Sequence, residues 1–404
     1  MPEAVIVAAA RTPIGRAVKG SLREMRPDEL AAAAVRATVE KVPGLQPSEI
    51  DDLMLGCAMP GGEAGYNLGR VVAVMNGWDE VPGTTVTRYC ASSIQTTRMA
   101  FHAIKSGEGD VFVSAGVEAV SRHFKGSSDE LPDTKNPRFD EAMARTTRTA
   151  ETNETWHDPR EDGLAPDIYI QMGQTAENVA TLRGLRREDL DHFSVRSQNL
   201  TEKSIREGFW AREITPITSP DGTVVVADDC PRPGTTYETV SQLKPAFREG
   251  GVVTAANCCP LNDGAAAVVI MSDTKAEQLG VRPLARIVST GVSALSPELM
   301  GLGPVEATNR ALDRAGMTIA DIDLVEINEA FAAQVIASYE ELGIDLDRLN
   351  VNGGAIALGH PYGMTGARLQ GTMLNSLDFH DKTTGLITLC VGGGQGMALI
   401  LERI

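Results

Sequence analysis

The sequence predicts an α/β protein made of two similar βαβ-rich halves with a loop domain inserted. Three observations carry this expectation. Short apolar runs rich in β-branched residues and alanine alternate with helix-like segments along most of the 404 residues. The same order of segments is written twice, at an offset of roughly 270–280 residues. Between the copies, residues 121–250 break both periods. The expected division is a first half over 1–120 completed by 251–275, an inserted loop domain over 121–250, and a second half over 276–404.

In chain order, "AVIVAAARTPIG" is a buried strand bounded by Arg11 and Pro13. A helix starts at Pro27 in "PDELAAAAVRATVEKV", with proline at its first position and acids in its first turn. "SEIDDLMLGC" is an acidic turn entering a strand, "NLGRVVAVMNG" a helix, and "GTTVTRYC" a strand. "SIQTTRMAFHAIKSG" is an amphipathic helix ended by Gly107, and "DVFVSAGVEAVS" another buried strand. The second half answers with "PLARIVSTGVSA", "GPVEATNRALDRAG", "ADIDLVEINEAF", "AAQVIASYEELG", a strand in "RLNVNGG", and "GLITLCVGGGQG". Alternation of this kind implies mostly parallel sheets, with chemistry where strands end and helices begin. The stretch from "RHFKGSSDELP" to "EDGLAP" is polar and proline-punctuated, as a surface excursion would be. Two helices follow, in "IQMGQTAENVATLRG" and "REDLDHFSVRSQNLTEKSIREG". An insert of this length is expected to cover or complete a site.

Composition narrows the function. A net charge of −17 argues against nucleic acid or an anionic membrane surface, since phosphate contacts require Lys or Arg. Nothing approaches the ~18 unbroken apolar residues of a membrane span, and neither terminus carries a targeting pattern, so a cytoplasmic location is expected. Six scattered cysteines without a C-x-x-C pair suit neither a disulfide framework nor a zinc site. They are expected to be thiols, with no metal and no permanently bound cofactor. A Gly-Lys-Ser/Thr phosphate loop, a G-x-G-x-x-G fingerprint and a G-x-S-x-G elbow are all missing.

Four positions could carry chemistry. A single cysteine is most often a packing residue, yet Cys90 in "TVTRYCASSIQTTRM" stands where a strand meets a helix start. There backbone N–H groups stabilise a thiolate and offer donors to an oxyanion. His360, in "VNGGAIALGHPYGMTGAR", occupies the corresponding turn of the second copy, ahead of a helix beginning near Thr365. Facing half-sites would set imidazole beside thiol, the pairing used for nucleophilic activation. Asn328 in "EINEAF" reads on its own as a cap, and Cys390 ends an apolar run before a glycine cluster. "ANCCPLNDGAAAVVIMS" turns through Asn262, Asp263 and Gly264 into a small-residue strand.

With these positions placed, the whole chain from "AARTPIG" to "CVGGGQGMA" resembles the thiolase family of acyl-CoA C-acyltransferases. "CASS", "NEAF", "GGAIALGHPYGMTGAR" and the C-terminal Cys-Gly segment occur in family order. The resemblance implies a five-layer α/β/α/β/α fold, dimers or tetramers, and acyl-CoA and coenzyme A as substrates. It implies that Cys90 accepts the acyl group, that His360 activates it, and that Cys390 is the acid/base cysteine. Asn328 with His360, through a water, and the N–H groups of Cys90 and Gly392 would form two oxyanion holes. Met172, Cys259, Ala330 and Phe331 fall in its substrate-contacting segments. Arg183, Arg186 and Arg187 in "LRGLRRED" are candidates for the CoA phosphates or simply a solvated helix face.

The sequence also departs from the family. Cys259 and Pro260 replace a usual Ser-Gly whose serine meets the pantetheine arm, and Gln171 precedes Met172 where histidine is common. "CASS" replaces Cys-Ala-Ser-Gly, and Tyr362 stands where a smaller apolar residue is usual. The implied reaction is thiolytic cleavage of a 3-oxoacyl-CoA to acetyl-CoA and a shortened acyl-CoA. Alternatives are an acetoacetyl-CoA-forming enzyme, or the β subunit of a β-oxidation complex with a hydratase/dehydrogenase partner. A ketoacyl-synthase-like condensing enzyme would typically carry histidine in place of Cys390, and a non-catalytic carrier would not need the full set.

Overall fold

The structure is a computed structural model that describes residues 2–127, 129 and 131–404; Ser128 and Glu130 of the expected surface excursion lie outside it. Its strands fall into two sets with one pairing plan. In the first, Ala4–Arg11 is antiparallel to Asn262–Ser272, which is antiparallel to Val111–Ala119; the parallel strands Asp52–Cys57 and Gly83–Val86 follow. In the second, Ala285–Ala294 is antiparallel to Gln395–Arg403, which is antiparallel to Thr384–Val391, and Leu324–Ile327 follows in parallel. The sets join edge to edge over two residue pairs, Val5 with Arg286 and Ile6 with Ala285.

Side-chain alternation along these strands builds the layers. On Asn262–Ser272, Ala265, Ala267, Val269 and Met271 face an outer cluster with Leu30 and Val35 of helix Pro27–Val39 and Val72 of Leu68–Met75. Val268 and Ile270 face inward instead. The inner cluster holds Ile94, Ala100 and Ile104 of helix Ser92–Ser106 with Leu369, Met373 and Leu377 of Thr365–Phe379, and is closed by Ile387 and Leu399 of the second set. Beyond that set, Val325, Leu386 and Ile400 pack on Ala311, Leu312, Val335 and Ile336 of helices Gly303–Ala315 and Ala332–Leu342. The order is helix, sheet, helix pair, sheet, helix, the five layers expected. Among the described residues no helix is long and apolar enough to cross a membrane.

Four expectations change. The sheets are mixed rather than mostly parallel, because Asn262–Ser272 and Gln395–Arg403 enter each sheet antiparallel to both neighbours. The second of these is a hairpin return that the sequence reading did not separate from the preceding run. The strand expected in "RLNVNGG" shrinks to one bridge, Leu349 to Val325. Asn350 turns the chain at φ 44°, and its amide takes over the pairing: Ile327 N–H donates to its Oδ1 at 2.9 Å, and its Nδ2 donates to Ile327 O at 2.9 Å. The polar excursion contains a helix, Asp140–Thr152, with only Ala142 buried; one small contact leaves little apolar periodicity to read.

Backbone meets backbone twice where the central helices begin, once between strand Val111–Ala119 and the turn ahead of Thr365–Phe379 and once between the two helices. A Cβ on Gly116 would stand 2.1 Å from Gly363 O, and one on Gly366 2.5 Å from Ile94 N. Ser93 Oγ donates to Gly363 O at 2.6 Å and accepts from Ala367 N at 2.9 Å. Glu118, buried at the end of its strand, accepts from Ala58 N and Gly363 N, each at 2.9 Å. Gly116→Ala is therefore expected to lower unfolding free energy by about 1–3 kcal/mol, since neither backbone can yield to the added methyl. Urea denaturation of wild type and variant measures this, and an unchanged midpoint would contradict it.

Candidate active site

Cys90 sits on a single 3₁₀ turn, Tyr89–Ala91, between strand Gly83–Val86 and helix Ser92–Ser106. Tyr89 is in the left-handed region at φ 43°, a conformation costly for an aromatic residue that redirects the chain before the sulfur. Ser92 holds the turn: its hydroxyl donates to Tyr89 O at 2.7 Å and accepts from Arg88 N at 2.9 Å. Arg88 then reaches across the halves, donating to Gln95 Oε1 at 3.1 Å and to Gln395 Oε1 at 2.6 Å. Gln395 Nε2 donates in turn to Gly392 O at 3.4 Å. This chain of contacts aims the Gly392 N–H at the Cys90 sulfur, where the N–H of Cys90 itself also points. Gly393 and Gly394, at φ 77° and 75°, make the turn that permits it.

His360 is buried beneath the neighbouring turn. Its backbone N–H donates to Asn262 Oδ1 at 2.9 Å, and Asn262 Nδ2 donates to Gly15 O at 2.9 Å. A Cβ on Gly359, at φ 114°, would lie 2.5 Å from the Asn262 side chain, so glycine is required there. Thr365 Oγ1 gives its one hydrogen to Pro361 O at 2.8 Å, so the His360 Nδ1 within 2.7 Å must be the donor to it. That assignment leaves the lone pair on Nε2, where Asn328 Nδ2 approaches at 3.3 Å. Asn328 Oδ1 has no hydrogen-bond partner among the described residues. No hydrogen bond among them joins Cys90 to His360; the ring of Tyr362 stands edge-on to the imidazole at 5.2 Å.

Cys390 is fully buried in a small cluster with Ala176, Met300, Ala330 and Phe331, against which Met172 and Cys258 pack. Ala330 and Phe331 are fixed by the segment carrying Cys259: Cys259 N donates to Ala330 O at 3.0 Å, and Cys258 bridges to Phe331. The structure thus gathers Met172, Ala330, Phe331, Cys258 and Cys390, taken from four parts of the chain. Glu329, beside Asn328, is buried and accepts from Ser197 Oγ at 2.6 Å and Asn350 Nδ2 at 2.9 Å, tying the loop domain to this strand end. The three candidate arginines each have a carboxylate of their own chain: Arg183 with Glu341, Arg186 with Asp189, and Arg187 with the buried Asp191.

The electrostatics favour neutral side chains at rest. Cys90 keeps some exposed surface, but its sulfur is deep enough for burial to push the thiol up to about 12, against the opposing pull of the Gly392 N–H; nearby Glu118 adds to the rise. Burial, helped by Arg368, lowers His360 to about 3, so its ring is uncharged. Burial also raises Cys390, with a further push from Cys90, and raises Cys259, which feels Cys258, Cys90 and Cys390. Tyr362 is raised by burial and, to a lesser extent, by Cys259, Cys90, Glu118 and Cys258. Hence Cys259 and Tyr362, both departures from the resemblance, share the electrostatic surroundings of the candidate nucleophile. Ser93, the "CASS" departure, does not: it is the buried tie between the central helices.

Sequence reasoning missed the supporting residues Arg88, Gln395, Glu118, Thr365 and Asn262 in their roles. Only the position of Thr365, five residues after His360 at a helix start, offered a signal.

Comparison with known proteins was informative over the full chain. The family model for the thiolase N-terminal domain matches residues 4–274, and that for the thiolase C-terminal domain residues 281–403. The chain is 40% identical over 415 residues to 3-ketoacyl-CoA thiolase of Bacillus subtilis (strain 168), covering 100% of each. It is 42% identical over 416 residues to 3-oxoadipyl-CoA/3-oxo-5,6-dehydrosuberyl-CoA thiolase of Escherichia coli (strain K12), again covering 100% of each. The crystal structure of Bacillus anthracis acetyl-CoA acetyltransferase superposes with a TM-score of 0.86 at 37% identity, covering 100% of this chain and 99% of that one. Human mitochondrial 3-ketoacyl-CoA thiolase gives 0.86 at 31% identity, with the same coverage, 100% and 99%.

Two outcomes follow from the geometry. Thr365→Val removes the acceptor that fixes the imidazole tautomer, and turnover should fall roughly tenfold to hundredfold with the fold intact, the scale of a misaligned reacting group. Steady-state kinetics and circular dichroism check both halves of that statement. Because the Cys90 pKa is raised, its thiolate fraction keeps growing as pH rises. Carbamidomethylation of Cys90 by iodoacetamide should therefore climb from pH 7 to 10 without a plateau; a rate already level at pH 7 would show a preformed thiolate instead.

Proposed function

The chain belongs to the thiolase family and is an acyltransferase, and from that premise we propose that it cleaves a 3-oxoacyl-CoA with coenzyme A through an acyl group carried on Cys90. The observation that carries this reading is the convergence of the Gly392 and Cys90 N–H groups on one sulfur, with a second buried thiol, Cys390, and a neutral imidazole at the adjoining turns.

His360 Nε2, with its lone pair free for a proton, takes the hydrogen of Cys90 as the sulfur attacks the 3-keto carbon. The Nε2–H so formed then donates, with Asn328 beside it, to the thioester oxygen that becomes the enolate, while the 3-keto oxyanion lies against the Cys90 and Gly392 N–H groups. As C2–C3 breaks, the bonding pair passes to the acetyl-CoA enolate, and Cys390 gives its proton to C2. Acetyl-CoA leaves. The Cys390 thiolate next accepts the proton of incoming CoA, whose sulfur attacks the acyl thioester within reach of the Cys90 and Gly392 N–H groups. Collapse returns the shortened acyl-CoA, and Cys90 recovers its proton from His360. Every proton taken is returned, and no metal or bound cofactor enters; coenzyme A is a substrate.

Run in reverse, the same residues condense two acetyl units, so the ratio of rates on a panel of 3-oxoacyl-CoA esters, not the fold, separates degradative from acetoacetyl-CoA-forming use. Relatives named as 3-ketoacyl-CoA and 3-oxoadipyl-CoA thiolases go with the degradative use, and those named acetyl-CoA acetyltransferase with the acetoacetyl-CoA-forming one. The reading includes a cytoplasmic homodimer or homotetramer; mass in solution, alone and in lysate, distinguishes it from a subunit bound to a hydratase/dehydrogenase.

Mass spectrometry after mixing with acetoacetyl-CoA should find an acetyl group on Cys90, lost in Cys90→Ala. Cys390→Ala should still acquire the acyl group from acetyl-CoA but lose α-proton exchange by about 10²–10⁴-fold, the contribution of a positioned general acid–base. Full activity of Cys90→Ala would sink the proposal.

A further inference from the structure

The turn that carries His360 also carries a tyrosine whose hydroxyl is left unbonded. Tyr362 is half-buried, and its Oη has no hydrogen-bond partner among the described residues. Nor is that oxygen one of the enclosed, unpaired polar atoms, so it opens onto accessible space. The backbone around it is pinned on both sides. His360 N–H donates to Asn262 Oδ1 at 2.9 Å, Gly363 N–H donates to Glu118 Oε2 at 2.9 Å, and Gly363 O accepts from Ser93 Oγ at 2.6 Å. Ser93 comes three residues after Cys90, so that last bond holds Tyr362 near the turn of the nucleophile. Its ring stands edge-on to the imidazole, centroids 5.2 Å apart, and its hydroxyl is within electrostatic reach of Cys90, Cys258 and Cys259.

A phenol held rigidly beside the reacting thiol, with its donor and acceptor both idle, is a polar group available to substrate. An all-carbon acyl chain packed against it would strip away its water and return no bond. An acyl chain bearing an oxygen would accept the phenol hydrogen and restore the bond. The surroundings also choose the charge of that oxygen. The groups acting most strongly on the hydroxyl are the three thiols and Glu118, with no lysine or arginine among them. Glu118 already has Ala58 N–H, Gly363 N–H and His123 as partners. A terminal carboxylate placed there would meet a like charge and find no cation to receive it. A hydroxyl, ketone or ether oxygen carries no such penalty.

We propose that Tyr362 determines specificity: its hydroxyl bonds a neutral oxygen on the acyl chain, so oxygenated 3-oxoacyl-CoA esters are preferred to plain alkyl ones. The inference rests on acyl transfer through Cys90 and names the substrate class of that site. The test is kcat/KM of the full chain on 3-oxohexanoyl-CoA, its 5-hydroxy analogue and 3-oxoadipyl-CoA. The added hydroxyl sits two carbons beyond the carbon that Cys90 attacks, close to the turn where Tyr362 lies. The 5-hydroxy ester should be favoured over the alkyl ester by about tenfold, the scale of one neutral hydrogen bond, with 3-oxoadipyl-CoA the poorest. Tyr362→Phe keeps the ring and loses only the oxygen, and the ratio of hydroxy to alkyl ester should fall close to one. A purely structural role would shift both esters together and leave that ratio intact. Mass spectrometry of Cys90 after mixing with each ester separates the two readings. No acyl group on Cys90 from any ester overturns acyl transfer, and this inference with it. Acylated Cys90 without preference for the hydroxy ester, a preference for 3-oxoadipyl-CoA, or an unchanged ratio in Tyr362→Phe overturns the role of Tyr362 alone.

Discussion

Everything at the candidate site depends on two backbones touching where the first sheet meets the middle layer. Gly116 and Gly363 are so close that neither tolerates a side chain, and Glu118 fixes the contact by accepting N–H groups from Ala58 and Gly363. A buried carboxylate is tolerated only when its oxygens are hydrogen-bonded, so this tie is set once the chain closes. Because Gly363 belongs to the His360 turn and Ser93 follows the Cys90 turn, one contact registers the two halves against each other. The chemistry is thereby placed on rigid elements, with the loop domain attached through Glu329 and Ser197.

The same burial that assembles the site keeps it quiet. A thiol lifted to about 12 beside an imidazole lowered to about 3 is a neutral pair, not a preformed thiolate–imidazolium. Charge appears only when substrate presents an oxygen that can be stabilised as the proton moves. Such a site is protected from chance alkylation and oxidation, which act on thiolates. Cys259 and Tyr362, two of the departures from the resemblance, are close enough to the nucleophile to be felt electrostatically.

Much of this was legible in the sequence because duplicated order is a strong signal. Strand and helix segments recurred, and Cys90 and His360 fell at matching turns before helices Ser92–Ser106 and Thr365–Phe379. What periodicity could not show was pairing direction, since an apolar strand looks the same whichever way its neighbours run; hence the expected parallel sheets became mixed. Local patterns also failed where a side chain imitates backbone, as Asn350 does in place of a strand. Likewise Arg88, Gln395 and Thr365 are ordinary polar residues in sequence, and their importance exists only in three dimensions.

One strand sets the timing by which the protein can come into being. Ala4 pairs with the neighbourhood of Ser272, and Val111 with Met271, so Asn262–Ser272 is the missing middle of the first sheet. A ribosome adding about 5–20 residues per second spends on the order of ten seconds on the chain between Ala119 and Ser272. Throughout that interval the first strand and Val111–Ala119 expose apolar edges to each other across a gap they cannot fill. Completion of the nascent core thus waits on the far side of the loop domain, which makes early chaperone protection a demand of the topology itself.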